Sequence, residues 1–244
     1  MALREEFETT GNWLFRWRSY LPIALIILIL PGIHSAEYQH QDNNILYDLA
    51  ALLISLSGLA LRCVVVGFKA KNTSGGNVRK QKAEVLNTKG LYSIVRHPLY
   101  LGNFIIWVGI SLVFRTWWLT VIVSLICCLY YERIAFAEEE FLRMKFKDDY
   151  LQWAAVTPAF IPSLKRWQPA ELPYSWKKVL GKEYAGFFAI VMSFTILKVL
   201  ICLIKQGALS VEPVWTMIFV TGLAIYLTLR FLKRCTKILN TPDR

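Results

Sequence analysis

Four ionisable side chains in two short stretches carry the chemistry that this sequence can do. In "NTKGLYSIVRHPLYLGNFII", residues 87–106, Arg96 and His97 stand just before Pro98 and an apolar run. In "ERIAFAEEEFLRMKFKDDYLQW", residues 132–153, Glu138, Leu142, Phe146 and Tyr150 recur every four residues and so share one helix face, with Glu139 beside the first of them. Pro98 suits the first turn of a helix, where a missing N–H costs nothing, and the free N–H groups and dipole of such an end favour an anionic group. A carboxylate pair accepts hydrogen bonds from hydroxyl and ammonium groups, and an arginine clamps a carboxylate. The plainer alternative is that Arg96 holds lipid phosphates, His97 fills the interface, and the acidic stretch is a solvated turn leading into an interfacial amphipathic helix.

The elements that must position these residues are read from hydropathy and charge. A hydrophobic content of 55% over 244 residues and a mean hydropathy of +0.41 exceed those of an average soluble domain. The expected fold is an all-α polytopic integral membrane protein with six spans. They fall near Tyr20–Ile33, Ile45–Phe68, Leu99–Phe114, Trp117–Tyr131, Tyr184–Ile204 and Val214–Leu232. The first run is short enough for a signal peptide, but Glu5, Glu6 and Glu8 precede it and His34 occupies the position where cleavage needs a small residue. "WLFRWRSY", residues 13–20, instead looks like an aromatic and basic anchor of a retained helix.

Lys and Arg number 3 before the first span, none after it, 7 after the second and 1 after the third. The alternation continues with 9, then 1, then 5 from Arg230 onward. This is the positive-inside pattern for two cytoplasmic termini. Orientation and anionic lipid headgroups account for the net charge of +11, so no nucleic-acid partner is inferred. The "RTWW" turn makes the third and fourth spans an antiparallel hairpin, which returns the acidic cluster to the level of Arg96. The five cysteines have no metal-ligand spacing, and His34, His40 and His97 are scattered, so neither a disulfide nor a metal site is expected.

Together the two stretches resemble the isoprenylcysteine carboxyl methyltransferases and related phospholipid methyltransferases. "GLYSIVRHPLYLG", residues 90–102, is similar to their G-x-Y-x-x-x-R-H-P-x-Y-x-G signature. "EEEFLRMKFKDDYLQW" is similar to E-E-x-x-L-x-x-x-F-G-x-x-Y-x-x-Y, with Trp153 for the last tyrosine and Lys147 for the glycine, a change expected to alter a local turn at most and to leave the helix intact. The resemblance covers roughly residues 58–162, flanked by residues 1–57 with the first two spans and 163–244 with a linker and the last two. It implies S-adenosylmethionine as cofactor in a cytosolic-side pocket. Tyr92, His97, Pro98, Tyr100, Gly102, Glu138 and Glu139 would bind it, and Arg96 and Glu139 would be the catalytic pair. The implied acceptor is the polar end of a membrane lipid or lipidated substrate.

Ala154, Ala155 and Val156 stand where the eukaryotic isoprenylcysteine enzymes are strongly basic, which disfavours a prenylcysteine carboxylate. The opening residues look more like a bacterial inner-membrane subgroup that methylates the phosphate of lipid A, and the basic segment at Lys165 and Arg166 suits such an anion. Two other classes stay open. Sterol reductases share an R-H-P-x-Y-x-G-like block and use NADPH. A non-catalytic lipid-binding protein or transporter could use Asp48, Arg62 and Lys198 as a path, although Arg62 and Lys198 can equally snorkel or pair.

Overall fold

A computed structural model of the chain describes residues 2–17, 44–69, 83–207, 212–236 and 238–239. The elements are α1 (Leu3–Trp17), α2 (Ile45–Phe68), α3 (Pro98–Leu112), α4 (Trp117–Val156), α5 (Trp176–Gln206) and α6 (Pro213–Cys235). Single 3-10 turns at Leu91–Ser93 and Leu164–Arg166 complete them, with no strand among the described residues. The protein is an all-α integral membrane protein. α2, α4, α5 and α6 are long and apolar enough to cross a bilayer. α3, with 15 residues, measures about 22 Å, short of the roughly 30 Å hydrocarbon layer. The expected span Tyr20–Ile33, the loop around Arg79, and His34 and His40 lie outside the described residues.

α2 and α3 pack through small residues, because lipid-embedded helices gain by close backbone approach rather than by hydrophobic exclusion. A Cβ on Gly58 would stand 2.5 Å from the Gly102 carbonyl oxygen, and one on Gly109 would stand 2.2 Å from Ser55 Oγ and 2.7 Å from the Ala51 carbonyl oxygen. Ser55 uses its hydroxyl across the same seam, donating to the Ile106 carbonyl at 3.0 Å. Asn44 caps α2 by accepting from the Leu46 and Tyr47 N–H groups, and Ser175 caps α5 by accepting from Lys178 N–H.

Charge inside this bundle is paired. Asp48 on α2 is met by Arg115, in the α3–α4 turn, at 3.1 Å and by Lys198 of α5. Arg62, nearer the other end of α2, makes a two-pronged pair with Glu183 of α5. Both intramembrane cations therefore pair rather than snorkel.

α4 departs from expectation in length. A span over Trp117–Tyr131 was expected, and the helix runs unbroken from Trp117 to Phe146 before it kinks. That is about 45 Å of helix, well beyond the roughly 30 Å hydrocarbon thickness, so its outer part projects beyond the membrane and carries the paired acids with it. α1 lies along this projecting part. Gly11 touches the Arg133 carbonyl, Phe7 packs edge-on to Phe136 with the Arg133 guanidinium over its ring, and Phe15 is buried.

The expectation that Lys147 leaves α4 intact is corrected. Its backbone sits at φ 47°, ψ −116°, a kink between two helical segments. A Cβ is costly in that half of conformational space, and glycine is free of the cost, which explains a glycine at this place in the resembling signature. Lys147→Gly is accordingly expected to stabilise the protein by about 1 kcal/mol, the strain relieved exceeding the added chain entropy. The check is a thermal melt in detergent, with a rise of about 2–4 °C expected.

Candidate active site

The signature loop is shaped before any side chain acts. Gly90 takes φ 63°, open to glycine, and its N–H donates to the Gln168 carbonyl at 3.0 Å. Arg96 and His97 then donate their backbone N–H groups to Pro158 and Ala159, at 2.8 and 3.2 Å, and Ser163 N–H donates to Ile94 at 2.9 Å. The segment after α4 thus holds the loop from behind, and Trp153 adds an indole N–H bond of 3.1 Å to the Tyr92 carbonyl. Pro98 opens α3 in its first turn with His97 at the cap position.

These constraints deliver a cluster. His97, buried, has Nε2 2.8 Å from Glu139 Oε1, and Arg96 Nε lies 3.3 Å from the same oxygen. The Arg96 guanidinium also reaches the Ala154 carbonyl at 3.5 Å. The Tyr100 hydroxyl donates to Glu138 Oε2 at 2.8 Å, and His97 Nδ1 lies 4.0 Å from that oxygen. The rings form a column: Phe160 packs on His97, His97 stacks on Tyr100 at 5.5 Å, and Tyr100 stacks on Tyr131 at 5.4 Å. On the other flank, Tyr150 is buried and packs edge-on to Trp153.

Tyr92 is buried. Burial, and then the charge of Glu138, push its hydroxyl well above the usual tyrosine range, while Arg62 pulls the other way. It is therefore a neutral donor at any physiological pH. Gly102 is placed differently from the other signature residues. Its missing Cβ is replaced by the Arg62 side chain, whose Cγ lies 2.7 Å from where the Cβ would be, and by the Gly58 carbonyl. The close approach that Gly102 allows in this structure is of helix upon helix.

Arg96, His97, Tyr100, Glu138 and Glu139 thus converge, with Tyr92 and Pro98 shaping the loop beneath them. Phe160, Tyr131 and Tyr150 join the site without having been singled out as binding residues. Tyr150 lies on the Glu138 face of the four-residue repeat, whereas Tyr131 reads as the end of an apolar span and Phe160 as part of a proline-flanked loop.

Glu138 shares one oxygen with Tyr100, and a carboxylate offers about four acceptor sites, so the pair keeps capacity for hydroxyl and ammonium donors. A guanidinium one-fifth exposed stands beside it to meet a carboxylate. This donor and acceptor set fits the ribose, ammonium and carboxylate groups of S-adenosylmethionine. Next to it, a cleft of about 970 Å³ is lined by Trp153, Trp167, Gln168, Asp149, Glu84 and Arg166. Its volume is that of a small-molecule site. Lys165 and Arg166, on the 3-10 turn, are exposed.

Parts of the chain are similar to known proteins. Residues 47–149 match the family model described as phospholipid methyltransferase. The nickel-cobalt-cadmium resistance protein NccN of Alcaligenes xylosoxydans is 33% identical over 150 residues, 61% of this chain and 63% of that one. The cobalt-zinc-cadmium resistance protein CzcN of Cupriavidus metallidurans is 31% identical over 118 residues, 48% of this chain and 52% of that one. The protein-S-isoprenylcysteine O-methyltransferase of Schizosaccharomyces pombe is 32% identical over 84 residues, 34% of this chain and 36% of that one. No solved structure matches. Over residues 47–149, less than half of its length, the chain is similar to the phospholipid methyltransferase family. It spans less than two thirds of the length of each of these curated relatives.

Proposed function

We propose that the chain is an S-adenosylmethionine-dependent methyltransferase that caps the polar end of a membrane lipid at the cytosolic face, with a lipid phosphate, such as the 1-phosphate of lipid A, as acceptor. The observation that carries this reading is the convergence of Arg96, His97, Glu138 and Glu139, from two signature blocks, at one end of a membrane bundle. The family match supports the methyl-transfer class.

When bound, S-adenosylmethionine supplies a methyl group made electrophilic by its sulfonium. Glu138 and Glu139 would hold the ribose hydroxyls or the ammonium, Arg96 would pair with the carboxylate, and the His97–Tyr100–Tyr131 column would set the depth of the site. An anionic acceptor oxygen has no proton to lose, so no residue need act as a general base. What the protein adds is orientation and exclusion of water from two opposite charges. The projecting part of α4 suits a lipid acceptor, because it places the acids outside the hydrocarbon while the acceptor's tail remains in it. Lys165 and Arg166 offer charge for an anionic headgroup, and Ala154, Ala155 and Val156 leave the place of a basic carboxylate-binding stretch apolar.

Two relatives are named for resistance to divalent metals. A headgroup that loses negative charge concentrates fewer cations at the membrane surface, which is compatible with those names.

The acceptor is tested by the chemistry of the product. Membranes containing the chain, incubated with methyl-labelled S-adenosylmethionine, are expected to yield a labelled lipid that survives mild alkali and has lost negative charge, as a methyl phosphodiester does. Release of most of the label as methanol would identify a carboxyl ester and overturn the phosphate assignment. An alkali-stable product that keeps or gains positive charge would identify an amine.

A further inference from the structure

α5 lies beyond residues 47–149, yet one of its side chains reaches under the signature loop. Glu183 is buried, and it takes Arg62 Nε on one oxygen and a terminal guanidinium nitrogen on the other, both at 2.9 Å. The remaining terminal nitrogen of Arg62 donates to Asn103 Oδ1 at 2.6 Å. Asn103 follows Gly102 directly and lies one turn of α3 beyond Tyr100. Tyr131 is the base of the ring column that runs through Tyr100 to His97, and these two side chains hold Glu138 and Glu139. The chain of contacts therefore runs from α5 through α2 and α3 to the acids on α4.

A buried ion pair is a poor means of merely joining helices, since apolar side chains of similar volume join them equally well or better. What apolar side chains do not supply is a fixed direction. A guanidinium gripped at both of its remaining sites presents one N–H to Asn103 along a set line, which fixes α3 one turn beyond Tyr100. The stem of Arg62 also fills the space left by the missing Cβ of Gly102, so its position is fixed by packing as well as by charge.

We propose that Glu183 is a positioning residue of the site, acting through Arg62 and Asn103 on the ring column that holds Glu138 and Glu139. This rests on the reading of that cluster as an S-adenosylmethionine site.

The experiment is calorimetric titration of the full chain in detergent with S-adenosylhomocysteine, beside a thermal melt, for the wild type, Glu183→Asp, and the apolar pair Arg62→Met with Glu183→Met. The apolar pair is expected to melt near the wild type and to bind about tenfold more weakly, and Glu183→Asp, which keeps the charge but withdraws the carboxylate from Arg62, to lose a smaller factor at a melting temperature near the wild type. Wild-type affinity in the folded apolar pair overturns the proposal, because the pair then serves packing alone. If the apolar pair does not fold, Glu183→Asp decides: weaker binding at unchanged melting temperature supports the proposal, and unchanged binding overturns it. A fall in both properties together also overturns it in favour of a structural role. A wild-type chain that binds no S-adenosylhomocysteine removes the underlying reading as well, whereas a binding wild type with equally binding variants removes only the role of Glu183.

Discussion

Glu138→Gln and Glu139→Gln are each expected to weaken S-adenosylhomocysteine binding by about ten- to a hundredfold, the equivalent of losing one hydrogen bond to a charged group. A glutamine keeps the shape and one acceptor oxygen, so the Tyr100 bond to position 138 and the His97 contact at 139 retain a partner. The melting temperature of each variant should therefore stay close to that of the wild type. Binding is measured by calorimetry in detergent, and the fold by the thermal transition of the same preparation. Wild-type affinity in both variants would remove the paired acids from the cofactor site.

Gly109→Leu is expected to prevent assembly of the bundle. Its new Cβ would stand 2.6 Å from the Ser55 backbone nitrogen and 2.7 Å from the Ala51 carbonyl oxygen, and neither can move without parting α2 from α3. Overpacking at backbone contact costs about 3 kcal/mol, a large share of the stability of a typical domain. The measure is the monodisperse fraction in size-exclusion chromatography after extraction, with Gly181→Ala as a control. The nearest atom to a Cβ at Gly181 is 3.8 Å away, so that variant should behave as the wild type. A monodisperse, normally melting Gly109→Leu protein would mean that the α2–α3 seam is looser than described.

Much of the architecture could be read from local signals. The bounds of α2 coincide with the expected Ile45–Phe68, because an apolar run ends abruptly at Asn44 on one side and Lys69 on the other. α4 was less legible. Its apolar part stops at Tyr131, but charged residues at helical spacing continue the same helix outward, where water rather than lipid meets them. Lys147 gave no local sign of a kink, since lysine is an ordinary helix former, and only the glycine of the resembling signature hinted at the backbone angle.

The acids and the Arg96–His97 pair were found in sequence because each lies in a short motif. Glu183 was hidden for two reasons. Its partner is 121 residues away, and its own charge made Tyr184 the expected start of the span, so a buried, paired residue read as loop. α1 likewise takes in residues 13–17 of the aromatic and basic stretch read at 13–20, while its docking on α4 depends on Gly11 meeting a backbone turn that no periodicity announces.

The account stands on transfer of a methyl group from a sulfonium to a lipid. The most direct measurement is the organic-extractable radioactivity of membranes incubated with methyl-labelled S-adenosylmethionine, compared among membranes carrying the wild-type chain, Glu139→Gln, and no added chain. Label should enter the lipid fraction with the wild type and fall to the level of control membranes with Glu139→Gln. Equal labelling in all three, in a preparation whose wild-type protein is folded and accompanied by its native lipids, would contradict the account.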